Sequence, residues 1–186
     1  MKYLFMALVV LLMSAFHNMQ AQDKTAINQQ ITDAGGNPVL VGKCTVDALL
    51  AEPFISWYRK NYDSYVVDTA TCVYLSPLLK NKKITIFLGT WCGDSRRQVP
   101  AILKMLDCCN FPKESLTLIM VSNQPDAYKQ SPQHEELGKN ILRVPTLIIE
   151  EKNKEMGRIV EYPVVSLERD MLSIVRKESY VPNYSK

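Results

Sequence analysis

The stretch from residue 83 to 109 sets the terms for the fold. Residues 83–88 are an apolar run of β-branched and aromatic side chains, which predicts a buried strand. After a short turn, residues 94–109 place Val99, Ile102, Leu103 and Leu106 at i, i+3, i+4 and i+7. That spacing predicts a helix with one apolar face, kinked by the internal Pro100. A strand that feeds a helix so directly points to an α/β architecture.

The turn between them reads Thr90-Trp91-Cys92-Gly93-Asp94-Ser95 and puts a cysteine at the start of the helix. Free backbone N–H groups of a first helical turn, and the positive end of the helix dipole, favour S⁻ over SH. Only the thiolate attacks a disulfide. Ser95 stands where a two-cysteine redox motif would place its second sulfur.

The rest of the chain supplies further elements. Residues 22–37 are polar, end in Asp33-Ala34-Gly35-Gly36-Asn37-Pro38 and read as a flexible lead-in. Residues 39–41 predict a short strand. Residues 45–61 predict a helix kinked or divided at Pro53. Its Phe54, Trp57 and Tyr58 read as a core stripe, with a partner-binding face as the other reading. Residues 65–67 predict a strand, and residues 72–80 a short helix that contains Pro77. Residues 116–121 predict a second apolar strand. Ser131-Pro132 predicts a helix start, with Gly138 as its stop. Residues 146–150 and 158–162 predict a hairpin around Lys152-Asn153-Lys154. Ser166 predicts the cap of a last helix whose face carries Leu167, Met171, Ile174 and Val175.

Residues 1–21 have the layout of a secretory signal: Lys2, an apolar stretch over residues 4–16, and Met19-Gln20-Ala21 at the cut. An uncleaved anchor or a buried helix is the alternative. Cleavage leaves 21 basic against 19 acidic residues, a net of +2. Such a balance argues neither for a nucleic-acid surface nor for a membrane patch; no nucleic-acid partner and no stable membrane insertion after cleavage are expected. The expected location is the periplasm or the exterior.

All five cysteines, Cys44, Cys72, Cys92, Cys108 and Cys109, follow the leader. In an oxidising compartment an odd count leaves one thiol unpaired. No C-x-x-C pair exists and His134 is the one histidine after the leader, which argues against a zinc site; no metal or other cofactor is expected. A Cys44–Cys72 bond is one reading of the remaining thiols. Cys108 and Cys109 read as small apolar side chains at a helix end. Arg96 and Arg97 read as a solvated helix face, with binding of an acidic substrate as the alternative. His134 reads as a surface helix residue.

Over roughly residues 65–180 the chain resembles the thioredoxin family. Four features carry the likeness: Trp91-Cys92-Gly93 after an apolar strand; Pro100 eight residues beyond the cysteine; Arg143-Val144-Pro145-Thr146 before a second strand; and Gly157 in the hairpin. The resemblance implies a thioredoxin-like fold, a central mixed sheet flanked by helices. It would occupy residues 65–186, with a helical N-terminal extension over residues 22–64. It implies that Cys92 attacks disulfides and that Pro145 is cis and packs beside it. Val144 would bind extended peptide backbone, and Trp91, Gly93 and Asp94 would line the substrate groove.

Three departures from the family shape the expected chemistry. Ser95 replaces the resolving cysteine, and Ile86 and Met120 occupy the places of a buried acid and its lysine partner. Ser95 cannot release a mixed disulfide, but its hydroxyl could donate a hydrogen bond to the Cys92 sulfur. The expected activity is therefore monothiol thiol–disulfide exchange, with protein or small-molecule thiols and disulfides as partners. Cys108 lies sixteen residues further on, about 24 Å along a helix, out of disulfide reach. A non-enzymatic peptide-binding module is the rival reading. An iron–sulfur carrier, suggested by Cys-Gly-Asp-Ser, is a third.

Overall fold

The computed structural model describes residues 26–185. The expected leader and the first residues of the expected lead-in lie outside them. Among the described residues no helix is long and apolar enough to cross a membrane.

The described chain opens with a hairpin rather than a lead-in: β1 (Gln29–Thr32) and β2 (Pro38–Cys44) pair antiparallel. Asp33 closes the turn, its Oδ1 accepting the N–H groups of Gly35 at 2.9 Å and Asn37 at 2.8 Å. The side-chain bonds that made this stretch look like loop are those of a tight turn between strands. The N-terminal extension therefore begins as sheet, and its helices come after.

Three helices follow, α1 (Val46–Leu49), α2 (Ile55–Ser64) and α3 (Thr69–Leu79). Pro53 divides the first two, since it carries no N–H for a continuous helix. Asp68 caps α3 by accepting the Thr71 N–H at 3.0 Å. Residues 65–67, expected as a strand, join no sheet. The Tyr65 hydroxyl instead donates to buried Glu168 at 2.9 Å. Then come β3 (Lys82–Leu88), α4 (Gly93–Cys108), β4 (Leu116–Met120), β5 (Thr146–Glu151), β6 (Lys154–Val160) and α5 (Leu167–Val175). Lys152 and Asn153 both take positive φ, 51° and 61°, as a two-residue hairpin turn requires.

The protein is thus an α/β molecule built on one six-stranded mixed sheet, in the order β1-β2-β4-β3-β5-β6. β3 runs parallel to β4 and antiparallel to β5. Alternation divides its side chains between two faces. Ile84, Ile86 and Leu88 join Leu118, Met120, Leu147 and Ile149 in a large core that all five helices enter. Phe87 joins Ile119, Val121, Val144 and Ile148 in a smaller cluster on the other face.

Among the described residues no α-helix covers that second face. A strap of turns over residues 131–141 does so, where the sequence predicted a helix. Ser131 starts it as a cap would, its Oγ accepting the Glu135 N–H at 3.0 Å. His134 then takes φ 57°, which breaks the helical path within one turn. The strap is tied to β5 by Lys139 Nζ on Glu150 at 2.7 Å, and to β6 by Arg158 on the Lys139 carbonyl at 2.9 Å.

The N-terminal aromatics are core, not a docking face. Phe54 and Tyr58 are buried, and α2 lies along α4. The Tyr62 hydroxyl donates to Asp107 at 2.7 Å, and Lys104 Nζ caps the end of α2 on the Asp63 and Tyr65 carbonyls at 3.1 and 2.8 Å.

Two outcomes follow from this packing. Ile86→Ala removes a fully buried side chain from the large core. Urea unfolding should register a loss of about 2–5 kcal/mol. Cys44 ends β2 in the same core, where burial pushes its thiol from 9.0 up to about 12. The folded state holds it neutral after the unfolded chain has begun to ionise it. Its stabilising contribution is whole below about 9 and is lost as pH rises toward about 12. Urea midpoints across that range should fall less steeply in Cys44→Ala than in the parent.

Candidate functional site

The carboxyl ends of β3 and β4 meet the start of β5 at one end of the sheet. In open α/β sheets this end is where loops gather side chains into sites. The Val121 N–H bonds the Leu88 carbonyl at 2.8 Å, which keeps the two parallel strands together to their ends. The chain then turns through residues 89–92. The Cys92 N–H closes the turn on the Gly89 carbonyl at 2.9 Å, and Cys92 becomes the N-cap of α4 with extended backbone.

Cys92 is half-buried, and its Sγ lies 3.2 Å from the Val144 carbonyl oxygen, to which the thiol donates. The Val144–Pro145 peptide is cis, and both residues are buried. Cys92 and the Val144-Pro145 pair, 52 residues apart in the chain, therefore meet across the end of the sheet. Trp91 forms one wall. Its Nε1 donates to the Val121 carbonyl at 2.8 Å, and its ring lies against Tyr128, with centroids 5.4 Å apart. Gly89 makes room for that ring, since a Cβ there would stand 2.5 Å from Trp91 Cε2. Gly93 is exposed, and a Cβ there would meet nothing.

Ser95 does not take the expected position toward the sulfur. It is fully buried, and its Oγ accepts the Gly89 N–H at 3.2 Å. No hydrogen bond joins it to Cys92 Sγ. Its contact braces the turn that presents Cys92, which makes it a positioning residue. Asp94 pairs with Arg97 one turn along α4, so the negative charge nearest the cysteine has a partner. Arg97 keeps a solvated setting. Arg96 is exposed as well, but its Nε donates to the Thr90 carbonyl at 2.6 Å and its guanidinium lies 5.9 Å from the Trp57 ring centroid. Thr90 is buried, and its Oγ1 accepts the Leu40 N–H of β2 at 3.2 Å. The cysteine turn is thus fastened to both parts of the N-terminal extension, the hairpin and α2.

Ile86 and Met120 are fully buried in the large core, so no ionisable side chain stands at either place. Cys44 and Cys72 belong to that core as well, while Cys92 packs against the smaller cluster on the other face. Among the described residues no second cysteine packs in the cluster that holds Cys92.

A groove of about 550 Å³ adjoins Trp91, lined by Tyr128, Lys129, His134, Leu137, Ile141 and Leu142 among others. Leu137 and Leu142 are largely exposed. His134 sits in the strap, not on a helix, and its Nδ1 lies 3.3 Å from Glu136. Sequence reasoning missed Tyr128 and Ile141 as walls of this site. They occur in a segment with no periodic pattern: the loop after β4 brings Tyr128 against Trp91, and the end of the strap brings Ile141 onto the same small cluster.

No protein-family profile matches the chain, and no curated protein is similar to it. Among solved structures it is similar to a protein of unknown function from Pseudomonas aeruginosa. The two share 14% identity with a TM-score of 0.45, over 66% of this chain and 81% of that one.

Gly89→Ala should force Trp91 out of its place. In a Trp57→Phe background, Trp91 is the one tryptophan. Its emission should shift to the red, and urea unfolding should show a loss of about 1–3 kcal/mol.

Proposed function

We propose that the protein is a thioredoxin-like thiol–disulfide oxidoreductase that works through Cys92 alone, in the periplasm or outside the cell. One observation carries the reading: a half-exposed sulfur at the N-cap of a sixteen-residue helix, 3.2 Å from the carbonyl that precedes a cis proline, with no second sulfur beside it. In the first step Cys92 S⁻ attacks a disulfide R–S–S–R′. The bond Cys92–S–S–R forms, and R′–S⁻ leaves and takes a proton. In the second, an external thiol, or a second thiol of the substrate, attacks the adduct and restores Cys92. Electrons are exchanged only between sulfurs, so the cycle needs no cofactor.

The other residues have supporting parts. Trp91 and Pro145 bound the approach to the sulfur. Val144 lies where the backbone of an extended peptide would run past it, and the apolar groove beyond Trp91 suits side chains of a partly unfolded protein. Asp94 and Gly93 form the open rim. With Ile86 and Met120 at the places of the family's buried ionisable pair, protons must come from water or from the substrate thiols.

A second reading is a peptide-binding module without redox chemistry. The apolar groove favours it, together with the hydrogen bond that the Cys92 thiol gives to Val144.

Trapping in cells under oxidising conditions separates the two. Because nothing adjacent can release a captured partner, covalent adducts through Cys92 should accumulate and dissociate with reductant. Cys92→Ser should lose every adduct and the disulfide-exchange activity together. If Cys92→Ser behaves as the parent, or if no adduct forms, the oxidoreductase reading fails and the binding module stands.

A further inference from the structure

Three sulfurs converge at the far end of α4, away from the Cys92 site. Cys72 lies in the first turn of α3 and Cys109 caps the end of α4; both are buried. Cys108, the last residue of α4, is exposed. Ser76 follows Cys72 by one turn on the same face of α3, and its hydroxyl donates to the Cys109 carbonyl at 2.7 Å. That bond fixes the crossing of the two helices, so the Cys72 side chain faces the Cys108–Cys109 pair. Cys72 and Cys109 lie in the same buried cluster. Met105 Sδ lies 4.0 Å from Cys109 Sγ. Cys44 and Cys72, the pairing that the sequence left open, are both free thiols, and Cys44 Sγ lies 4.0 Å from the Val41 carbonyl oxygen.

Burial raises the Cys72 and Cys109 thiols above the usual thiol range, so both are slow to react from outside. Cys108 alone of the three meets solvent. Among the described residues no group of three Cys, His, Asp or Glu is arranged to hold a metal ion. The chemistry left to a cluster with one exposed and two buried thiols is exchange with disulfides.

We propose that this crossing is a disulfide-forming site, in which Cys72 and Cys109 become bonded by way of Cys108 when a low-molecular-weight disulfide is present. Cys108 attacks the small disulfide R–S–S–R, forms Cys108–S–S–R and releases one RSH. Cys72 then gives its proton to the departing RS⁻ as it attacks the Cys108 sulfur, which releases the second RSH and leaves a Cys72–Cys108 bond. Cys109 displaces Cys108 from Cys72 and gives the buried bond Cys72–Cys109, with Cys108 restored as a thiol. Two protein thiols are oxidised, one small disulfide is reduced, and both protons leave on RSH. The bond closes a loop that contains β3 and α4. It constrains the unfolded chain, so the oxidised protein resists unfolding. The proposal does not depend on the role of Cys92.

The test uses the full chain with Cys92→Ala, so that Cys92 adducts do not obscure the result. The protein is incubated with an excess of oxidised glutathione, unfolded, alkylated, digested and analysed by mass spectrometry. The expected product joins the Cys72 peptide to Cys109, with Cys108 alkylated, and the oxidised protein unfolds at higher urea than the reduced one. Cys72→Ala and Cys109→Ala should each lose the cross-link. Cys108→Ala should still form it, about tenfold or more slowly, because the remaining thiols are buried. Recovery of Cys72 and Cys109 as alkylated thiols would overturn the proposal. So would a stable glutathione adduct on Cys108, a stable Cys72–Cys108 or Cys44–Cys72 bond, or an unchanged rate in Cys108→Ala.

Discussion

The burial of the carboxyl half of β3, Ile86 to Leu88, on both faces is the constraint on which the molecule depends. Ile84, Ile86, Phe87 and Leu88 are each essentially inaccessible. Burying one such side chain contributes about 1.5–3 kcal/mol, so neither face can be left to solvent. Five helices cover one face and the turn-built strap the other. A strand whose last three residues are enclosed on both faces can release its chain only past its end. At the carboxyl end that release is the turn from Gly89 to Cys92, and the sulfur stands where the strand leaves the core.

This arrangement explains why the turn is so heavily braced. Gly89 bonds Ser95, Thr90 bonds Leu40 and Arg96, and Trp91 bonds Val121. The brackets come from β2, β4 and the first turn of α4 itself. A helix N-cap holds its side chain in a fixed direction only if the approach to the helix is fixed, and these bonds fix it. The N-terminal extension takes part through Leu40, and through Trp57 beneath Arg96. It therefore helps to position Cys92 as well as to enlarge the core.

Much of this was legible in the sequence. The apolar runs gave β3 and β4, the helical spacing gave α4 and α5, and Ser166 marked a cap that the structure keeps, its Oγ accepting the Arg169 N–H at 3.2 Å. Periodicity reads burial on one face of an element, and these elements have such faces. It failed where local hydrogen bonds competed with burial. Asp33 and its neighbours looked like a loop because they are the turn of a hairpin whose strands are short. Ser131 and Pro132 looked like a helix start because they make a cap's bonds, but His134 takes a left-handed conformation that residue identity does not announce. Ser95 shows the limit at a site. Its position beside the cysteine was plain, but its partner, the Gly89 N–H, depends on how the chain turns.

The two sets of thiols stand at opposite ends of α4, and the helix keeps them apart. Its sixteen residues span about 24 Å, several times the reach of a disulfide. No conformational adjustment of side chains lets Cys108 or Cys109 relieve an adduct at Cys92. A chain that carries five cysteines would otherwise offer many internal routes for exchange. Here the geometry closes the route between the ends of α4. The large core holds Cys44 and Cys72, while Cys92 faces the smaller cluster across the sheet. The distribution of sulfur in the fold, as much as the serine beside it, therefore leaves Cys92 apart from the other four thiols.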